Sequence, residues 1–159
     1  MDIETLERNA RFSAEELYKT TGKSVGGPTG YCLQFVDTAL CGVVPQDAPI
    51  GWLQKLFESQ LGIHRLETIY AEIHTLDEIL HCYDESPGIP IIIEGHPADC
   101  SPELHSALFM RGTGGRWIVV DSLLSEGFSI FSSFEEVESW AHRTFYLDTA
   151  LFYPVEVDE

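Results

Sequence analysis

The segment LHSALFMRGTGGRWIVVD, residues 104–121, determines the fold class that we expect for this chain of 159 residues. Two apolar runs with strand character, 104–111 and 116–121, flank the turn-forming stretch from Gly112 to Gly115. Such an arrangement is typical of a β-hairpin. Further strands are predicted at 89–94, 128–131 and 144–157. The second half of the chain is therefore expected to form an antiparallel sheet.

The first half of the chain carries the signals of helices instead. Ser13 and Glu16 match a capping box, and Thr29 can cap another helix after the glycine-rich stretch 22–30. The predicted helices cover residues 3–20, 30–41, 50–61, a short segment after the Thr75 and Glu78 box, and 133–142 after the Ser133 and Glu136 box. Helices followed by an antiparallel sheet predict an α+β fold. With no repeat or linker in sight, we expect residues 1–159 to form one domain.

The charge of the chain is strongly negative. Nine Lys and Arg residues stand against 26 Asp and Glu residues, a formal net charge of −17. This field repels phosphate backbones and anionic lipids, so we expect neither a nucleic acid partner nor membrane binding. The longest apolar run, 89–93, is too short for membrane insertion. The acidic start, residues 1–4, lacks the features of a Sec signal peptide, so export would need another route.

The chain has four cysteines, Cys32, Cys41, Cys82 and Cys100. They are too sparse for a disulfide scaffold, which favours reduced thiols, and one could be a nucleophile. Cys32 lies on the apolar face of the predicted helix 30–41, but it also stands at a helix N-terminus, where the backbone dipole lowers a thiol pKa. Cys41 lies beside Gly42, where the helix must end and the chain becomes accessible. These arguments leave both cysteines as candidates.

A cysteine nucleophile needs a base and an orienting group. His105 is the strongest base candidate, because it interrupts an otherwise apolar strand, although a buried histidine with satisfied hydrogen bonds is the alternative. Asp121 ends the neighbouring strand and could orient the imidazole or cap the turn at Ser122. Asp148 lies between two apolar triplets, where an unpaired carboxylate would be costly, so it implies a partner such as an imidazole.

Length, acidic charge and the ordered set Cys41, His105 and Asp148 resemble the TecA family of bacterial type VI secretion effectors. The resemblance covers essentially the whole chain. It implies a papain-like cysteine hydrolase fold, with a helical N-terminal half packed on a C-terminal antiparallel sheet. It also implies that Cys41 is the nucleophile, His105 the general base and acid, and Asp148 the orienting group. Cys32 and Asp121 remain the alternative catalytic residues.

The activity that the resemblance implies is deamidation of host Rho-family GTPases. A switch I asparagine would become aspartate through a thioester intermediate, with no metal and no organic cofactor. The enzyme would be a monomer, delivered into the host cytosol by type VI secretion, and the GTPase would be its partner. A cysteine protease would use the same triad on a main-chain amide.

Two readings of other kinds compete with the hydrolase. An acidic protein-binding module, such as an immunity or inhibitor protein, explains the charge of −17 better but leaves Asp148 unexplained. A zinc site is a third possibility, although its spacing fits no common zinc finger. Its candidate ligands are His81, Cys82, His96 and Cys100.

Overall fold

The architecture of the chain is α+β, as the order of the sequence patterns predicted. The computed structural model describes residues 1–42, 63–65, 69–70, 88–99 and 103–157. In chain order the elements are α1 (Ile3–Thr21), α2 (Cys32–Cys41), β1 (Ile63–Arg65), β2 (Ile69–Tyr70), β3 (Ile91–Gly95), β4 (His105–Arg111), β5 (Trp117–Val120), β6 (Phe128–Phe131), α3 (Phe134–Thr144) and β7 (Leu151–Val157). The helices predicted at 50–61 and after Thr75 lie outside the described residues.

The central part of the sheet has five antiparallel strands in the order β7-β3-β4-β5-β6. The short strands β1 and β2 also pair with β7. The predicted hairpin is confirmed, because β4 and β5 are neighbours and Leu108 pairs with Val120. A short 3-10 turn at Thr113–Gly115 joins these two strands.

Helix α1 begins and ends at residues that its sequence explains, although the capping box is not where we expected it. The Asp2 carboxylate accepts a hydrogen bond from the Thr5 amide at 2.8 Å, and Gly22 ends the helix with φ +73°. Ser13 instead lies inside the helix, where its buried hydroxyl donates to the Phe35 carbonyl at 2.8 Å. Ser13, which was predicted to cap a helix, therefore forms a hydrogen bond between α1 and α2.

The two faces of the sheet are covered by different helices. Leu108 and Met110 of β4 face one apolar cluster with α1 and α2, whereas Ala107 and Phe109 face a second cluster with α3. This alternation follows from the two-residue repeat of a strand. Both faces of β4 are buried, which explains its nearly continuous apolar sequence.

The predicted strand 144–157 is wrong in its first half. Residues Leu147–Thr149 form a 3-10 turn, and β7 begins only at Leu151. Phe145 and Ala150 are buried against the α3 cluster, while Asp148 between them is exposed. The apolar neighbours of Asp148 therefore turn inward while its carboxylate stays in solvent. None of the helices in the described part of the chain is long and apolar enough to cross a membrane.

Candidate active site

The glycine-rich loop and the start of α2 position Cys32. Thr29 does not cap the helix as predicted; its buried side chain accepts a hydrogen bond from the Tyr31 amide at 3.1 Å. The Gly26 amide donates to the Ser122 carbonyl at 2.9 Å, which ties the loop to the turn after β5. Cys32 is consequently the first residue of α2, and it is a partly exposed free thiol.

His105 and Asp121 come from two adjacent strands at the same end of the sheet. His105 is the first residue of β4, and Asp121 directly follows β5. Nε2 of His105 lies 2.7 Å from Oδ1 of Asp121. Only 6% of His105 and 1% of Asp121 are exposed, so water does not compete for this bond. Of the two carboxylates that the sequence left open, the structure brings Asp121 to the imidazole.

The carboxylate of Asp121 accepts hydrogen bonds on both oxygens. The Leu123 amide donates to Oδ1 at 3.0 Å, in addition to His105. The buried indole of Trp140, from α3, donates through Nε1 to Oδ2 at 3.0 Å. The sequence prediction gave no role to Trp140, because nothing in a helical apolar face distinguishes an indole that packs from one that also donates.

The thiol of Cys32 lies close enough to the imidazole for each side chain to shift the pKa of the other. The Cys32 sulfur lies 4.0 Å from the Leu104 carbonyl oxygen, next to His105 in the chain. Because Nε2 is directed at Asp121, Nδ1 is the ring nitrogen available to the sulfur. The structure therefore brings a sulfur, an imidazole and a carboxylate together in the row Cys32, His105 and Asp121, the combination used by cysteine nucleophiles.

The electrostatics of the site favour a charged pair of thiolate and imidazolium. Burial alone raises the pKa of the Cys32 thiol, but the hydrogen bond and charge of His105, with the amides of Ser106 and Leu33, bring that pKa below its ordinary value. Burial lowers the pKa of His105, but its hydrogen bond to the Asp121 carboxylate, followed by its interaction with Cys32, raises the pKa to about 9. Both shifts favour a thiolate at neutral pH.

The first turn of α2 offers amide donors beside the sulfur. The first hydrogen bond of the helix runs from the Phe35 amide to the Tyr31 carbonyl. The amides of Cys32, Leu33 and Gln34 precede it and have no carbonyl acceptor within the helix. Such N–H groups stabilise an anion at a helix N-terminus. N–H groups at this end of α2 can therefore stabilise negative charge near the Cys32 sulfur.

The structure does not bring Cys41 or Asp148 into this row. Cys41 is the last residue of α2, so the helix rise separates it from Cys32 by about 13 Å along the axis. There it lines a different cavity, beside Met1 and Asn9. Asp148 is exposed in the turn before β7, and Asp121 holds the place beside His105 that Asp148 was expected to hold. The residues that define the site are therefore the two alternatives, Cys32 and Asp121, together with His105.

The zinc reading of the sequence is not tested, because three of its candidate ligands, His81, Cys82 and Cys100, lie outside the described residues. The fourth, His96, is exposed. Among the residues that the structure does describe, no group of three His, Cys, Asp or Glu side chains could hold a metal ion. Comparison with known protein families, curated proteins and solved structures found no match.

Proposed function

We propose that this protein is a cysteine-dependent hydrolase that cleaves an amide by acyl transfer to Cys32. The observation that carries the proposal is the row of Cys32, His105 and Asp121, in which the thiol has a lowered pKa and the imidazole a raised one. A buried histidine that only satisfied its hydrogen bonds would not need a partly exposed thiol at a helix N-terminus. The arrangement of thiol, imidazole and carboxylate supports a papain-like catalytic unit.

In the first step the Cys32 thiolate attacks the carbonyl carbon of the amide. The negative charge moves to the carbonyl oxygen, where the amides at the start of α2 stabilise it. The His105 imidazolium then donates its proton to the departing nitrogen, and the carbon–nitrogen bond breaks. The products are a free amine or ammonia and an acyl group joined to the Cys32 sulfur as a thioester.

In the second step water replaces the sulfur. Neutral His105 takes a proton from the water, whose oxygen attacks the thioester carbon. The carbon–sulfur bond breaks, the acid product leaves, and the thiolate and imidazolium pair is restored. Asp121 keeps Nε2 of the imidazole protonated throughout, so that Nδ1 is the nitrogen that exchanges protons.

The narrower proposal is that the amide belongs to a switch I asparagine of a host Rho-family GTPase. It is supported by the resemblance of length and acidic charge to the TecA family. The residue set Cys41, His105 and Asp148 no longer supports it, since Cys41 and Asp148 stand away from His105. Delivery by type VI secretion, action as a monomer and the absence of a cofactor belong to the same narrower proposal.

The test is intact-mass and peptide mass spectrometry of purified Rho-family GTPases after incubation with the protein. The narrower proposal expects the mass gain of amide to acid conversion at one asparagine, lost in Cys32→Ala and retained in Cys41→Ala. Main-chain fragments instead would identify a protease. If no GTPase is modified but Cys32 is rapidly alkylated at neutral pH, the proposed GTPase substrate is rejected and the proposal of a cysteine hydrolase stands. Uniformly slow thiols would reject the hydrolase and favour the binding module.

A further inference from the structure

We propose that Trp140 is a positioning residue of this site, whose indole N–H fixes the carboxylate plane of Asp121 and so the orientation of His105. This inference rests on the proposed function. Trp140 touches neither the sulfur nor the imidazole; it acts through Asp121. Its role is separate from its contribution to the apolar core.

The hydrogen-bond donors around Asp121 are unevenly distributed between its two carboxylate oxygens. His105 and Leu123 both donate to Oδ1, at 2.7 Å and 3.0 Å. Two donors on Oδ1 fix the position of that oxygen but leave the position of Oδ2 free to change. The Trp140 Nε1 donor, 3.0 Å from Oδ2, removes this freedom because it holds the second oxygen. Three donors on two oxygens define the plane of the carboxylate.

The surroundings of Trp140 make this bond hard to replace. Its side chain is only 2% exposed. Its ring packs edge-on against Phe145 at a centroid distance of 5.9 Å, and Phe145 lies 5.4 Å from the His105 ring. Without the indole donor, Oδ2 would be a buried carboxylate oxygen that has lost its hydrogen bond from Trp140. Rotation of the carboxylate toward another donor is the expected response.

A change in the orientation of Asp121 affects Cys32 through His105, which interacts with both side chains. A rotated Asp121 holds Nε2 of His105 less well, so the imidazolium loses stabilisation. The thiolate of Cys32 then loses part of the charge that stabilises it. The effect is therefore a shift in the pH at which Cys32 becomes nucleophilic, which a merely structural role of Trp140 would not produce.

The experiment measures the rate of Cys32 alkylation by iodoacetamide against pH, resolved by peptide mass spectrometry. Trp140→Phe is compared with Trp117→Phe, which removes an indole from the same α3-facing cluster without touching Asp121. We expect Trp140→Phe to move the alkylation midpoint upward by about one pH unit, which is a tenfold loss of rate at pH values below both midpoints. Trp117→Phe should keep the wild-type midpoint, although both variants lose stability.

Since Trp140→Phe also leaves a small cavity, a second variant carries β-(3-benzothienyl)alanine at position 140. It keeps the shape of the indole and replaces N–H by sulfur, so it should shift the midpoint without unfolding the protein. A wild-type midpoint in both Trp140 variants, or an equal shift in Trp117→Phe, overturns the positioning role. An ordinary thiol midpoint for Cys32 in the wild-type protein overturns the proposed function itself, so the two failures are distinguishable.

Discussion

Cys32 and Cys41 are the first and last residues of one helix, and the thiol at its N-terminus, Cys32, interacts with the His105 imidazole. The ten-residue helix α2 places Cys32 at its N-terminal end, which has amide donors and the positive end of the dipole, and Cys41 at its C-terminal end, which has neither. Two cysteines of the same helix are therefore expected to differ in reactivity. The difference follows from their position along the helix axis.

The first prediction contrasts these two thiols. Cys32→Ala should abolish rapid alkylation at neutral pH and reduce amide hydrolysis by about 10³-fold or more, because no acyl-enzyme can form. Cys41→Ala should leave both unchanged. Alkylation resolved by peptide mass spectrometry, with circular dichroism to show that both variants are folded, measures this. Rapid labelling of Cys41 in the Cys32→Ala protein would contradict it.

The second prediction contrasts the two carboxylates. Asp121→Asn removes the charge beside His105, so the His105 pKa should fall from about 9 toward its ordinary value of 6.5, and turnover should fall by about 10²- to 10⁴-fold. Asp148→Asn changes an exposed side chain and should do neither. NMR titration of the imidazole protons measures the pKa. An unchanged His105 titration in Asp121→Asn would refute the assignment of Asp121.

The third prediction concerns stability against pH. The raised pKa of His105 contributes stability that is full below about pH 6.5 and is lost as the pH rises through about 9. The lowered pKa of Cys32 acts oppositely, since its contribution is present above 9.0 and lost as the pH falls. In a Cys32→Ala background only the His105 term remains. Without Cys32 the His105 pKa lies below 9, because Cys32 contributes to its rise. Urea unfolding should therefore show that the extra stability of Cys32→Ala over Cys32→Ala/Asp121→Asn shrinks within the range from pH 6.5 to pH 9. A difference that stays constant over this range would rule out the pairing.

The fourth prediction concerns the turn that follows Asp121. Gly127 has φ +84°, its carbonyl accepts from the Asp121 amide at 3.0 Å, and a Cβ added there would lie 2.6 Å from Cζ of Phe35. Gly114 has a similar φ of +69° but open space around it. Gly127→Ala should cost about 1 to 3 kcal/mol more than Gly114→Ala, since only the former overpacks the core. Thermal or urea unfolding of both variants measures the difference in the free energy of unfolding. Equal losses of stability would show that the Phe35 ring moves aside without an energetic cost.

The sequence predicted the parts of the site that depend on local pattern. His105 was identifiable because a histidine interrupts an apolar strand, and the alternatives Cys32 and Asp121 followed from a helix N-terminus and a strand end. The choice between the two cysteines was beyond local pattern, since it depends on a contact between Cys32 and the chain near Leu104, far apart in sequence. Asp148 was misplaced because its apolar neighbours fit a strand as well as they fit a turn.

The three helices in the described part of the chain were predictable to within a few residues, but their contacts were not. Ser13 has the spacing of a cap, and only the position of α2 shows that its hydroxyl serves Phe35 instead. Trp140 carries no local sign that its N–H meets Asp121 from the other face of the sheet. In each case the deciding partner is a backbone or carboxyl oxygen supplied by another element of the fold.

The sulfur is held by helices on one face of the sheet, while the indole that secures the carboxylate comes from the helix on the other face. The reactivity of the thiol therefore depends on the completely folded chain. In a nascent or partly unfolded chain Cys32 reacts as slowly as an ordinary cysteine. The Cys32 thiol should become reactive only at the end of folding. Loss of the helices on either face of the sheet should remove this reactivity before the rest of the chain unfolds.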